Sequence, residues 1–93
     1  MKQVIFDFER IGSMSDFYLI AKRELNLPEH FGNNLDALWD CITGDIALPV
    51  SIQFLNMSMT QLETFDKLIQ LFEDAISELG NDLLFEYYLR PVM

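Results

Sequence analysis

Three short apolar runs separated by helical segments constrain the fold more than any other feature of this sequence. They are KQVIFDF (2–8), LPVSIQFL (48–55) and DLLFEYYLR (82–90), and short runs rich in β-branched and aromatic residues are typical of strands. Strands joined through helices tend to lie parallel, with right-handed crossovers. The sequence therefore predicts an α/β fold, with a small three-stranded parallel β-sheet packed with about three to four α-helices.

The segments between the runs predict the helices. Capping residues and apolar spacings of three and four predict three of them, from Ser13 to about Leu25, from Asn33 or Asn34 to about Ile42, and from Ser58 or Thr60 to about Leu79. The last of these carries an uninterrupted apolar stripe, so we expect one long helix.

The first apolar run also predicts how the sheet is covered. Val4, Phe6 and Phe8 alternate to one face, and Ile5 lies on the other. Apolar residues on both faces are typical of a parallel strand that is covered on both sides. The sequence does not determine the order of the strands in the sheet.

Length and composition indicate a single folded domain over residues 1–93. Hydrophobic residues make up 51% of the chain, which is enough for one core. No apolar run reaches the roughly 18 residues typical of a membrane span, and the N-terminus is unlike a signal peptide. Cys41 is the one cysteine, so we expect a buried free thiol, no internal disulfide and a cytoplasmic protein.

The charge balance limits the kind of partner. Fifteen acidic residues against six basic ones give a net charge of −9. Such a surface repels nucleic acid and anionic lipid, so we expect neither as a direct partner, and it speeds the encounter with basic proteins. The alternative interpretation is that the acidity serves only solubility.

The segment FGNNLDALWDCITGD (31–45) concentrates acidic residues on one short helix. Asp36 and Asp40 are four residues apart and therefore neighbours on one helix face, where like charges repel by about 0.2–0.5 kcal/mol. Only Asp36 is favoured by the positive helix N-terminus, and Asp45 follows the unfavourable C-terminus. A local rule broken without visible compensation indicates a candidate functional site.

Several interpretations of these acids compete. The first is a solvated face without a role, and the second is a carboxylate pair for acid–base catalysis. The third is a metal site with His30, and the fourth is a recognition surface for a cationic protein site. Two acids on the outer face of a helix do not make a catalytic cleft, and no DxDxDG-type motif is present. A Cys41–His30 nucleophile–base pair would need folding to bring the two together. A recognition surface explains why the repulsion is kept, because the cations of a partner would relieve it.

The segment ELNLPEHFGNNLDALWDCITG (24–44) resembles the hallmark segment of the barstar family, the intracellular inhibitors of secreted microbial ribonucleases. Looser similarity extends over nearly the whole chain, apart from residues 56–64 and the tail after 90. The resemblance implies one barstar-like domain of three parallel strands with packed helices. It also implies an inhibitor that performs no catalysis and needs no metal or cofactor, and it allows a cis Leu48–Pro49 peptide bond.

The family resemblance also implies a mechanism in which an acidic helix and the loop before it plug the ribonuclease active site. The resemblance implies that Asp40 is the central phosphate mimic and Asp36 its partner. It also implies that the residue at position 30, here His30, inserts an aromatic ring. Asp74 matches a Glu of the family. The predicted partner-binding residues are His30, Phe31, Asn34, Asp36, Trp39, Asp40, Thr43, Gly44, Asp45 and Asp74.

Four features depart from the family pattern. The founding member has Tyr at the position of His30 and Trp at that of Asp45, its second Cys is replaced by about Asn81, and the link after the second strand is shorter by about three residues. From that shorter link we expect two helices of the family to be merged into one.

We therefore expect an inhibitor, monomeric when free, of a basic extracellular-type ribonuclease or related toxin domain. An alternative is a small metal-dependent or acid–base enzyme that uses Asp36, Asp40 and His30. Another is a regulatory binding module with a target other than a nuclease.

Overall fold

The computed structural model describes residues 1–91 and contains three strands, four α-helices and one short 3₁₀ turn. In chain order the elements are β1 (Lys2–Asp7), α1 (Met14–Glu24), α2 (Leu35–Gly44), β2 (Val50–Met57), α3 (Met59–Thr64), α4 (Asp66–Leu79), the 3₁₀ turn Gly80–Asp82 and β3 (Leu83–Leu89). The predicted α/β class is confirmed. Residues 92 and 93, the end of the predicted domain 1–93, lie outside the described residues.

The sheet is parallel throughout and follows the order of the chain, β1-β2-β3. Ile5 pairs with Gln53 in β2, and Gln53 pairs in turn with Glu86 in β3. The β2–β3 register shifts between Phe54 and Met57, where Asn56 has φ of 63°. Each parallel pair is joined through helices, as a parallel connection requires.

Aromatic side chains fill the core between the sheet and the helices. Six phenylalanines have at most 1% of their surface exposed, namely Phe6, Phe8, Phe17, Phe54, Phe65 and Phe72. Phe54, in the central strand, packs edge-on against Phe6, Phe17 and Phe72, with ring centroids 5.5–5.8 Å apart. Such edge-to-face pairs are favourable beyond the area they bury, and they fix the helices on one side of the sheet.

The expectation that β1 is covered on both faces is wrong. Ile5 is 47% exposed, whereas Val4 and Phe6 are buried. On the same outer face, Gln3 Nε2 donates to Gln53 Oε1 at 3.4 Å, and Gln53 Nε2 donates to Glu86 Oε1 at 3.5 Å. Polar residues along the middle of this face allow it to meet water, so one apolar side chain did not signal a second packed layer.

The expectation of one long helix after β2 is also wrong, because the helix breaks at Phe65. Phe65 ends α3 and precedes α4 with φ −107° and ψ 21°, and its ring packs against Phe8 with centroids 5.1 Å apart. Gln61 of α3 completes a capping box with Ser58, and its Nε2 also donates to Phe8 O at 2.9 Å and Ile11 O at 2.8 Å. These contacts tie α3 to the loop after β1, and α4 begins as a separate helix at Asp66.

The remaining boundaries agree closely with the prediction. Ser13 Oγ accepts from Asp16 N at 3.2 Å and caps α1, and Gly80, with φ of 58°, ends α4. α2 extends two residues beyond the predicted end at Ile42, and β2 begins at Val50, just after a Leu48–Pro49 peptide bond that is cis. Cys41 is buried and unpaired, as expected.

Candidate partner-binding surface

The start of α2 is held by the side chain of Asn34. Asn34 Oδ1 accepts from Ala37 N at 2.8 Å, and Asn34 Nδ2 donates to Gly32 O at 3.1 Å. One amide thus satisfies an otherwise free helix N–H and braces the preceding loop. The residue before it, Asn33, takes the left-handed conformation with φ of 52°. The helix therefore begins at a defined residue, and the acids that follow are held at fixed positions.

Asp36 and Asp40 lie on the exposed side of α2, opposite its buried residues Leu38, Cys41 and Ile42. Over residues 1–91, the ion pairs within 4.0 Å are Arg10–Asp7 and Arg23–Glu24, and neither involves α2. No hydrogen bond within the described chain reaches either carboxylate. The fold leaves both carboxylates available to water or to a partner.

The C-terminal end of α2 places three predicted site residues in succession. Thr43 Oγ1 donates to Trp39 O at 2.8 Å, Gly44 is the last helical residue, and Asp45 follows it with its N–H donating to Cys41 O at 2.9 Å. Burial, together with the negative charges of Asp45 and Asp40, raises the pKa of the Cys41 thiol. Cys41 is therefore held as a neutral thiol, which does not suit a nucleophile.

The loop before α2 presents His30 and buries Phe31. His30 is exposed, whereas Phe31 is 7% exposed and packs edge-on against Tyr18 with centroids 5.7 Å apart. Lys22 Nζ donates to Glu29 O at 3.1 Å and so ties the loop to α1. Phe31 thus anchors the loop that carries His30, and its ring leaves little surface for a partner. Its predicted contact with a partner stays a prediction.

Asp74 meets the α2 residues across a groove between α2 and α4. The groove encloses about 310 Å³ and is lined by Leu35, Asp36, Trp39, Lys67, Gln70, Leu71 and Asp74. Gln70 Nε2 donates to Asp74 Oδ1 at 2.9 Å and orients that carboxylate. Trp39 is half-buried and Leu71 is buried. The fold thus brings Asp36, Trp39 and Asp74 to one concave surface, although Asp74 lies far away in the sequence.

Lys67, Gln70, Leu35 and Leu71 line the same groove and were not predicted as site residues. The spacing of Lys67, Gln70 and Asp74, at three and four residues, places them on one face of a helix, so the sequence alone indicates that these three residues share a face. Nothing in the sequence indicates that this face packs beside α2.

Within the described part of the chain, the potential metal ligands of this surface do not form a cluster. In residues 1–91, no group of three or more His, Cys, Asp or Glu side chains is arranged to hold a metal ion, so the alternative site of His30, Asp36 and Asp40 lacks the clustered ligands it would need. Exposed carboxylates on a rigid helix can instead accept paired hydrogen bonds from guanidinium groups.

Comparisons with known proteins identify the family of this chain. The family model described as "Barstar (barnase inhibitor)" matches residues 1–89. A Bacillus subtilis (strain 168) protein named "Putative ribonuclease inhibitor YrdF" is 35% identical over 88 residues, which cover 88% of this chain and 93% of that protein. No helix in residues 1–91 is long and apolar enough to cross a membrane. Members of the matched family are inhibitors and not enzymes. The chain belongs to the barstar family.

Proposed function

We propose that this protein inhibits a basic ribonuclease, or a related toxin nuclease, by inserting the acidic face of α2 into the active site of that enzyme. The observation that carries the proposal is the pair of exposed carboxylates, Asp36 and Asp40, which the chain's own bases leave unpaired. A fold that served only its own stability would gain by separating them. Family membership and the relative named as a ribonuclease inhibitor support the same role.

The proposed mechanism replaces RNA phosphates with carboxylates. A ribonuclease binds phosphate through arginine, lysine or histidine side chains, and carboxylates can accept the same charge-assisted hydrogen bonds. Asp40 would occupy the central phosphate position, with Asp36 beside it. Because Asn34 caps the helix, the backbone that carries these carboxylates is ordered before binding, which lowers the entropy that the complex must lose.

The residues around α2 would complete the contact. His30 would place its ring against the enzyme from the loop, Trp39 and Asp74 would contact it along the α2–α4 groove, and Thr43, Gly44 and Asp45 would shape the far end. We propose that residues 1–93 act as a single domain that is monomeric when free, is located in the cytoplasm and binds no nucleic acid directly. An immunity role against a toxin nuclease is consistent with the same surface.

The test is inhibition of a panel of small basic ribonucleases and toxin nuclease domains. We expect the wild-type chain to inhibit at least one at close to equimolar concentration, with an association rate that falls steeply as salt rises, because opposite charges steer the encounter. A matched acidic protein of similar net charge but unrelated fold is the control for nonspecific charge effects. Binding to none of the enzymes would contradict the proposal, and a salt-independent association rate would contradict the steering.

The enzyme alternative is tested on the same sample. A small metal-dependent enzyme using Asp36, Asp40 and His30 would bind a divalent cation stoichiometrically and lose a measurable activity in Asp36→Asn. We expect calorimetric titration with Mg²⁺, Mn²⁺ or Zn²⁺ to show no stoichiometric binding, since exposed side chains from a helix and a loop do not enclose a cation.

A further inference from the structure

A single positive charge stands on the helical surface proposed to meet a cationic enzyme. Helices α2 and α4 carry six acidic residues, Asp36, Asp40, Asp66, Glu73, Asp74 and Glu78, and one basic residue, Lys67. Lys67 lines the α2–α4 groove together with Asp36 and Asp74. A cation at this position repels the arginines and lysines that the neighbouring acids would attract, so its presence requires an explanation.

Lys67 forms no ion pair with the acidic residues of the described chain. In residues 1–91, no carboxylate oxygen lies within 4.0 Å of its ammonium nitrogen, although Glu63 and Asp66 are close in sequence and Asp36 and Asp74 line the same groove. The side chain is exposed. Lys67 also lies in the first turn of α4, where the positive end of the helix disfavours a cation. Neither an ion pair nor the helix dipole accounts for a lysine here.

The α4 side of the groove therefore carries charges of opposite sign on one helix face. Lys67, Gln70 and Asp74 follow one another along α4, and the hydrogen bond from Gln70 turns Asp74 into the groove wall. Seven residues of helix separate Lys67 from Asp74, which is about 10 Å along the axis. Leu35, Trp39 and Leu71 add apolar surface to the same groove.

We propose that Lys67 receives an acidic side chain of the partner enzyme, so that the α2–α4 groove binds a segment of mixed charge and Lys67 selects among basic ribonucleases. The inference rests on the proposed function. The matching segment presents an anion toward Lys67 and a cation toward Asp74, roughly 10 Å apart, as two side chains do when they lie seven residues apart on one face of a helix. Basic enzymes without that anion would bind more weakly, because Lys67 would meet only positive charge.

Reversing the charge of Lys67 distinguishes this proposal from electrostatic steering by net charge, because the two predict opposite changes in affinity. Lys67→Glu makes the protein more acidic by two charges, and so does the control Arg90→Glu, which lies outside the groove. If only overall charge mattered, both variants would bind a basic ribonuclease faster and at least as tightly. If Lys67 faces an anion, Lys67→Glu should weaken binding by at least about tenfold, and Arg90→Glu should not weaken it.

The experiment measures the dissociation constant and association rate of wild type, Lys67→Glu, Lys67→Met and Arg90→Glu with each ribonuclease that the wild-type chain inhibits. We expect Lys67→Met to lose about two- to fivefold. Reversal of one acidic residue at the contact surface of the enzyme to lysine should restore binding to Lys67→Glu. Circular dichroism and urea unfolding check that each variant is folded.

The outcomes separate the two proposals. If no enzyme binds the wild-type chain, the proposed function is wrong and the role of Lys67 falls with it. If the wild-type chain binds and Lys67→Glu binds equally well or more tightly, the proposed function stands and the inference about Lys67 is overturned. Equal weakening by Lys67→Glu and Arg90→Glu would also overturn it.

Discussion

The outer face of the sheet and the outer face of α2 both expose polar groups to water, but only on the sheet do these groups bond to one another. On the sheet, Gln3, Gln53 and Glu86 bond to one another across three strands, and Tyr88 Oη donates to Glu86 Oε2 at 3.0 Å. On α2, the carboxylates of Asp36 and Asp40 have no partner within residues 1–91. The polar groups of the sheet face are hydrogen-bonded to one another, whereas the two carboxylates of the helix face have no partner in the described chain.

The hydrogen-bond partners of a carboxylate indicate whether it serves the fold or a binding partner. A carboxylate that accepts hydrogen bonds from its own chain contributes to the fold, and its charge is already partly compensated. A carboxylate that repels its neighbour and has no partner is retained against the local energetics. Charge alone does not distinguish the two kinds, but the hydrogen-bond partners do.

The largest expected difference between the two faces is in partner affinity. Asp40→Ala should weaken binding to the cognate nuclease by about 3–5 kcal/mol, because the enzyme's cations would be buried without a counterion. The matched control is Glu86→Ala on the sheet face, for which we expect a change below about 0.5 kcal/mol. Titration calorimetry of both variants checks the pair, and a larger loss for Glu86→Ala would reverse the assignment of the two faces.

The next effect concerns how the helix face is held in place. Asn34→Ala removes the cap of α2 and should lower the free energy of unfolding by about 1 kcal/mol. Asn34→Asp keeps a capping oxygen and should retain most of that stability. Urea unfolding measures both. Equal stability of the alanine variant and the wild type would mean that the cap does not hold the helix start.

A smaller effect tests whether the acids on α2 repel one another in the free protein. Asp36→Asn removes one of the two charges and should raise the free energy of unfolding by a few tenths of a kcal/mol at most, since the relieved repulsion of about 0.2–0.5 kcal/mol is partly offset by the lost interaction with the helix N-terminus. The same variant should bind the nuclease more weakly. Unfolding in urea at low ionic strength gives the stability; a clear loss of stability would show that Asp36 has a structural partner.

The smallest effect concerns Asp7, a carboxylate that the fold does use. Asn56 Nδ2 and Glu9 N each donate to Asp7 Oδ1 at 3.1 Å, and these bonds, with a lesser contribution from nearby Arg10, hold the Asp7 pKa below its ordinary value of 3.8. Because the pKa is lower in the folded state, this stabilisation is present above pH 3.8 and is lost as the pH falls through the folded-state pKa. Exposure to water keeps the effect small.

Comparison of wild type with Asp7→Asn, unfolded by urea at a series of pH values from 6 downward, isolates this contribution. The stability gap between the two proteins should narrow only below about pH 4. A gap that stays constant over the whole acid range would show that the bonds to Asp7 do not depend on its ionisation.

Much of the fold followed from local patterns, and the errors have identifiable causes. Asn34 as a cap and the strand-like runs were readable because capping and alternation act over a few residues. The break at Phe65 was missed because this residue continues the apolar spacing from Leu62 to Ile69, so the periodicity is the same with or without a kink. Ile5 was misjudged because an apolar residue on the sheet reports a preference for burial and not the presence of a covering layer.

The candidate site was readable in its α2 half and hidden in its α4 half. Asp36 and Asp40 stand out because their repulsion can be recognised from spacing alone. Asp74 was found only through the family resemblance, and Lys67 was not found, because nothing local to α4 indicates which helix packs beside it. The burial of Phe31 could not be predicted, since a neighbour of an exposed residue in a loop can still point into the core.

Phosphate mimicry is tested most directly by competition between the inhibitor and a mononucleotide for the enzyme. The measurement is the apparent inhibition constant of the wild-type chain against a ribonuclease it inhibits, at increasing concentrations of a nucleoside monophosphate that occupies the active site. Phosphate mimicry predicts that the apparent constant rises linearly with the mononucleotide concentration from its value without mononucleotide, because carboxylates and phosphate need the same cations. An apparent constant that does not change would show that the acidic face binds elsewhere on the enzyme and would contradict the account.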